Sequence, residues 1–229
     1  MKSVKIIPIL ALSVLFVCCA NSSTPPPDTP IDVKSFGLVG NVKKVTVTVS
    51  ELVDGKEVDP WEDATQSLEF DENGRILKDR FDNLYEYDEK GNFIKGVSEY
   101  SKMQRDAKGR IITYENWKDD EDDEGFTINI GYDEMDRIVK VEIGAWEATV
   151  DQVYTFSDDH IYPDHANWES DDEGDFYSTD MTYTYKKFDS HGNWTEREIH
   201  TLSKHTVEGE DINDSREEKS IERREIIYY

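Results

Sequence analysis

Four stretches of the chain alternate apolar and polar residues with a period of two. They are "VTVTV" at 45–49, "FTINIGY" at 126–132, "RIVKVEIGAW" at 137–146 and "MTYTY" at 181–185. Successive side chains of a strand point to opposite faces, so this alternation predicts strands with one packed face and one wet face. Past the N-terminal segment no amphipathic helix is predicted. Residues 211–226, "DINDSREEKSIERREI", open with helix-compatible composition but end in strand alternation.

A short motif returns between the strands. It reads "FDENGRI" from Phe70, "YDEKGNF" from Tyr87, "RDAKGRI" from Arg105, "YDEMDRI" from Tyr132, "FSDDHIY" from Phe156 and "FDSHGNW" from Phe188. A polar segment ending in Gly between two alternating stretches predicts a hairpin on a type I turn, closed by a residue in the left-handed region. Gly74, Gly91, Gly109 and Gly192 occupy that slot, where glycine has no steric cost. Asp136 and His160 stand in it in two units, and Asp and His are among the non-glycine types most tolerant of positive φ. The leading Asp71, Asp88, Asp106, Asp133 and Asp189 are placed to accept hydrogen bonds from the turn backbone.

These motifs resemble the YD repeat of the RHS family, in which tyrosine–aspartate hairpins are strung into continuous antiparallel sheet. The resemblance covers residues 68–195, with two degenerate units. The chain lacks the length and the C-terminal cargo of the toxin-enclosing members, so the toxin function does not carry over. It looks more like small Bacteroidetes-type envelope lipoproteins with degenerate YD repeats, on "FGLVGNVKKVT" (36–46) and the closing "IIYY" (226–229). The expected fold is all-β: an antiparallel β-meander of YD-type hairpins, about a dozen strands, curled into a half-barrel or an up-and-down barrel. A fully closed sheet of that size leaves room for a cavity or a flattened section.

The N-terminus supplies an address. "MKSVKIIPILALSVLFVCCANSS" has two lysines, an apolar run too short to span a bilayer, and then Cys18 and Cys19. This resembles a bacterial lipoprotein signal, with Cys19 the preferred lipidated residue. The division expected is a signal at 1–19, a Pro- and Ser-rich disordered tether at 20–34, and one domain at 35–229. The two cysteines are the only ones, so the mature domain holds together without a disulfide. The first acidic residue after Cys19 is Asp28. Under a Bacteroidetes-type export rule that favours the periplasmic side of the envelope over the cell surface.

The formal charge of −25 excludes nucleic acid as a partner, because phosphate backbones are recognised by basic surfaces. Much of the acidity lies in four segments, 52–64, 118–125, 169–175 and 208–218, which a meander gathers at the end opposite the YD turns. Trp61, Trp117, Trp146 and Trp168 stand beside this acidic rim, either as aromatic packing at the end of a curled sheet or as rings that stack on sugar faces. Asp120, Asp122 and Glu124 imitate the start of a calcium loop, but its twelfth position is Gly131. Asp171, Asp172 and Glu173 imitate it less. Calcium is the one cofactor these carboxylates suggest, against a solvated acidic loop as the plain alternative. His160/His165 and His200/His205 are spaced by five, which in a strand sends each pair to opposite faces.

No nucleophile elbow, phosphate loop or zinc-protease motif is present. The expectation is a non-enzymatic envelope lipoprotein, anchored to the membrane by its lipid. It would act as a binding module through its acidic, Trp-rich rim, for a glycan or an envelope protein. The alternative is a carrier that holds a small apolar or glycan ligand inside the curl.

Overall fold

The computed structural model describes residues 29–58, 65–80, 82–116, 125–145, 148–157, 160–172, 174–207 and 213–229. Among the described residues one short helix, α1 (Ile31–Ser35), precedes fifteen strands. In chain order these are β1 (Val42–Val53), β2 (Lys56–Glu57), β3 (Thr65–Phe70), β4 (Ile76–Lys78), β5 (Glu86–Tyr87), β6 (Phe93–Lys95), β7 (Ser101–Arg105) and β8 (Ile111–Asn116). There follow β9 (Phe126–Tyr132), β10 (Ile138–Ala145), β11 (Ala148–Thr155), β12 (His165–Asp172), β13 (Asp175–Phe188), β14 (Trp194–Val207) and β15 (Asn213–Tyr228). Residues 213–226 are strand throughout, including the part whose composition also suited a helix.

Thirteen strands form one antiparallel sheet in the order β4-β3-β1-β15-β14-β13-β12-β11-β10-β9-β8-β7, with β2 on the side of β1. The fold is therefore the expected all-β meander, curled and not closed. The first and last long strands pair with each other, Val45 opposite Ile226 and Ser50 opposite Ile221. The seam lies instead between β4 and β7. There the small β5–β6 hairpin stands between the two edges, bridged to β4 through Lys78 and Leu84. On its other side the Tyr114 hydroxyl of β8 accepts the Val97 amide at 2.9 Å. The Tyr114 ring meets Tyr85 and Phe93 edge-on.

Five of the six predicted turns share one hydrogen-bond scheme. The amide of the leading Asp donates to the carbonyl four residues on, and the fourth residue's amide donates back, at 2.8–3.2 Å. The fourth position is left-handed, from φ +66° at Asp136 to +86° at Gly192. Oδ1 of each leading Asp accepts the amides two and four residues on. Oδ2 binds the side chain at the fifth position, Arg75, Asn92, Arg110 or Arg137. In the last unit Oδ2 takes the Tyr228 hydroxyl instead.

Two departures from the sequence reading stand out. "KDRFDNL" (78–84) forms a further turn of the same kind at the opposite end of the sheet, with Asp82 at φ +65°. The unit at 156–162 is not closed by His160. Its Ser157 amide and hydroxyl donate to the Asp164 carboxylate, and the Asp164 amide donates to the Thr155 carbonyl, making a longer loop that ends at His165. With Ser in the Asp position and no Gly, the tight turn loses both of its determinants. The His160 carbonyl accepts Arg137 at 2.7 Å and its ring stacks on Tyr162.

The end of the predicted tether is folded structure. Residues 29–41 lie across the ring of turns and stitch them together. Asp32, 3% exposed, receives both Arg105 nitrogens at 2.5 and 2.8 Å and the Ile76 amide at 3.3 Å. Lys34 pairs with Asp136 at 2.8 Å, and Val39 exchanges two hydrogen bonds with the buried Asn193 side chain. Val33 and Leu38 from this segment join Val42, Val45, Val47, Leu68, Phe70 and Ile76 in the main core. Ile111 of β8 packs against the same core, so the far side of the sheet has curled back onto its beginning. Cys19 lies outside the described residues, as do residues 20–28.

Glycine at 74 has a second reason besides φ. A Cβ there would stand 2.1 Å from Pro30 Cβ, whereas at Gly192 it would meet nothing within 4 Å. Both Ala substitutions carry the roughly 1–2 kcal/mol cost of a left-handed alanine. Gly74→Ala must also displace the N-terminal segment, and should lose at least about 1 kcal/mol more than Gly192→Ala in denaturant titrations. Asp136 offers a test of the stitching by charge. Burial alone would raise its carboxyl, but Lys108 and Lys34 outweigh that and hold the pKa at about 2. Its contribution is thus present above the ordinary carboxylate pKa and lost as pH falls toward 2. Asp136→Asn, which keeps tolerance of positive φ, should cost about 1–2 kcal/mol at neutral pH. That difference from the parent should vanish between about pH 4 and pH 2.

Candidate binding site inside the curl

Counting by twos along the longest strands separates the inner from the outer face. Ile226 and Tyr228 of β15 pack against the core, so Arg224 and Glu222 share their inward parity. The register sets Arg224 opposite Val47 and Glu222 opposite Val49 on β1. On the other side Glu222 faces Arg197 of β14, which in turn faces Tyr185 of β13. Tyr183, Trp168, Gln152 and Tyr154 continue the same face across β13, β12 and β11. These last residues and Tyr185 are half-buried, while their outward neighbours Thr182, Thr184, Glu169 and Val153 are exposed. The inner face is therefore concave and reached by solvent rather than filled.

A charged cluster sits in this face. Glu222 is 3% exposed and Arg197 8%. Arg197 donates Nε at 2.7 Å and Nη2 at 2.5 Å to Glu222 Oε2, which leaves Oε1 buried without a hydrogen-bond partner among the described residues. Trp194, 1% exposed, lies under both guanidinium groups, 3.6 Å from Arg224 and 4.4 Å from Arg197. Arg197 also lies over the Tyr183 ring at 4.0 Å. Such contacts favour the charged guanidinium and hold it over the rings.

The charges do not balance. Burial would raise the Glu222 carboxyl, but the positive charges of Arg197, Arg224 and Arg80 outweigh it and lower its pKa. Burial pushes the Arg224 guanidinium well below its ordinary value, and Glu222 restores only part of that. Arg80, just after β4, adds its positive charge at Glu222, Arg224 and Tyr154. Three guanidiniums thus face one carboxylate. Nε and Nη1 of Arg224 are buried and have no hydrogen-bond partner among the described residues. Donors of this strength are ordinarily satisfied when buried.

The residues singled out by sequence fare differently. Trp168 lies within β12, on the inner face beside Gln152 and Thr179 rather than out on the rim. Trp61, Trp117 and Trp146 fall outside the described residues, as do Asp120, Asp122, Glu124, Glu173 and the side chain of Asp172. The Asp171 carboxylate accepts the Gly174 amide at 3.2 Å. Among the described residues no three His, Cys, Asp or Glu side chains converge as a metal site would need. A shallow groove lined by Glu51, Asp54, Glu217, Glu218 and Lys219 lies at the end opposite the turn ring. His205 stacks on Tyr177 at 4.3 Å, and His200 pairs with Glu217.

The arginine cluster escaped the sequence reading because "TEREIH" and "SIERREII" look like outward, charge-rich edges. The signal was there: counting back by twos from Ile226 lands on Arg224 and Glu222.

No protein-family model matches the chain, and no curated protein matches it. Among solved structures it is similar to a porin-like protein from Bacteroides uniformis, at 10% identity over 81% of this chain and 98% of that one, with a TM-score of 0.34. A likeness of that degree carries no argument about either fold or function.

Glu222→Gln removes the one negative charge among the guanidiniums. Breaking a buried pair from one side costs about 3–5 kcal/mol. Urea titrations should show a loss of that order, against a small change for Glu198→Gln, whose carboxylate pairs with Lys186 on the outer face at 2.8 Å.

Proposed function

We propose that the chain is a lipid-anchored protein of the bacterial envelope that binds a small molecule on the inner face of its curled sheet, as a carrier rather than an enzyme. One observation carries this reading. The face that an ordinary sandwich or small barrel fills with aliphatic side chains here holds half-buried tyrosines, a tryptophan and arginines with unused donors. Ligand sites combine such apolar walls with a few convergent polar groups. Trp168, one of the rings expected to serve an outer rim, belongs to this inner wall.

In this reading Cys19 bears the lipid and the chain enters the domain through the turn ring, where Thr29 accepts the Gly40 amide at 3.2 Å. The acidic loops then face away from the membrane. The end of the curl opposite the turn ring opens toward the envelope space. The resemblance to YD-repeat lipoproteins agrees with this address.

Native mass spectrometry of residues 20–229 exported to a bacterial periplasm tests the reading. The expected result is a bound mass that survives desalting, persists with chelator, and is lost from the Trp168→Ala, Tyr183→Ala double variant. A bare chain from envelope-exposed preparations would overturn it.

A further inference from the structure

Building on the proposed carrier reading, we infer that the inner face takes a ligand bearing an oxyanion, a carboxylate or phosphate group, which docks on Arg224 and Arg80 while the body of the ligand lies along Tyr183, Tyr154 and Trp168. Arg197 is already committed, with two donors on Glu222. Nε and Nη1 of Arg224 are buried with no hydrogen-bond partner among the described residues, and the positive charge of Arg80 bears on the same cluster. A guanidinium presents its donors as a planar fork that matches the two oxygens of a carboxylate or two of a phosphate. Arg224 is held in place for that, its Cζ 3.6 Å from the centroid of the Trp194 ring. Glu222 takes part by fixing Arg197, not by touching the ligand.

The charge pattern is the second support. The chain carries −25 overall, yet the described residues around this site set three arginines against one glutamate. A protein that needed only a folded interior has no use for an uncompensated buried guanidinium, since burying one without a partner costs several kcal/mol and an apolar side chain of similar volume is as good or better. An anion supplies the missing charge and the missing acceptors together. A metal cation supplies neither, and a neutral lipid supplies acceptors without the charge.

The test uses residues 20–229 freed of bound small molecules by partial unfolding and refolding. Titration calorimetry then takes glucuronic acid, glucose 6-phosphate and glucose as probes. At least one of the two acids should bind, and glucose at least about tenfold more weakly. Arg224→Met should weaken the acid by tenfold or more while the melting temperature stays level or rises, because the change removes an unpaired buried charge. A purely structural arginine would lower the melting temperature instead. Lys186→Met, the same charge change on the outer face, should leave binding and melting unchanged. Equal binding of glucose and the acids, or an Arg224→Met variant that binds the acid as before, overturns the inference. So does failure of both acids to bind. If native mass spectrometry still finds a neutral molecule held by Trp168 and Tyr183, the anion inference alone has failed. If the curl is empty there too, the carrier reading has failed with it.

Discussion

The aspartate that opens each turn sets the geometry on which the remaining structure rests. One carboxylate oxygen collects two backbone amides, and in four of the five turns the other holds the side chain at the fifth position, so a five-residue turn is fixed by one charged group. Each hairpin therefore leaves its turn in one register only. Register decides which residues of a strand face inward, because a slip by one residue exchanges the two faces. The inward row that carries Tyr183, Tyr185, Arg197, Glu222 and Arg224 exists only while the Asp189 turn and the β1–β15 pairing keep their phase.

Curling without closure leaves a different problem. A sheet with two free edges offers unpaired amides and carbonyls to any other strand. Here the edges are β4 and β7, and both are short. The β5–β6 hairpin occupies the gap between them, held more by Tyr85, Phe93 and Tyr114 than by ladder hydrogen bonds. At the turn end, residues 29–41 reach the turns after β3, β7, β9, β11 and β13. The seam is thus narrowed from the side by aromatic packing and held at one end by ion pairs to a strap of chain.

Much of this architecture was legible in the sequence. The alternation and the Asp-x-x-Gly spacing named the hairpins, and the acceptance of Asp136 in the glycine slot followed from backbone sterics alone. What escaped notice had physical causes. The fifth turn position was overlooked because Arg and Asn look unrelated until both are seen to donate to the same oxygen. His160 was misplaced because its unit lacks the leading Asp that makes the turn tight. The helix at 31–35 is too short to show a period, and its stability comes from Asp32 and Val33 meeting groups far along the chain. The arginine cluster was hidden by the habit of sending charge outward; only the register, which joins residues of β13, β14 and β15, reveals that it points in.

The pairing of β1 with β15 has a consequence in time. Among the described strands these are the first and last long ones, and Val42 meets Tyr228 only when every strand between them has been made. Contacts so distant in sequence close slowly, since the intervening chain must be ordered before they repay it. While the chain folds, Val45 and Val47 thus wait on an open edge until β15 arrives. The hairpins in between can form locally, each on its own turn, but the inner face is assembled last. An oxyanion of the kind inferred above would, if present at that moment, meet the arginines as the curl forms around them, a companion of folding as much as a passenger afterwards.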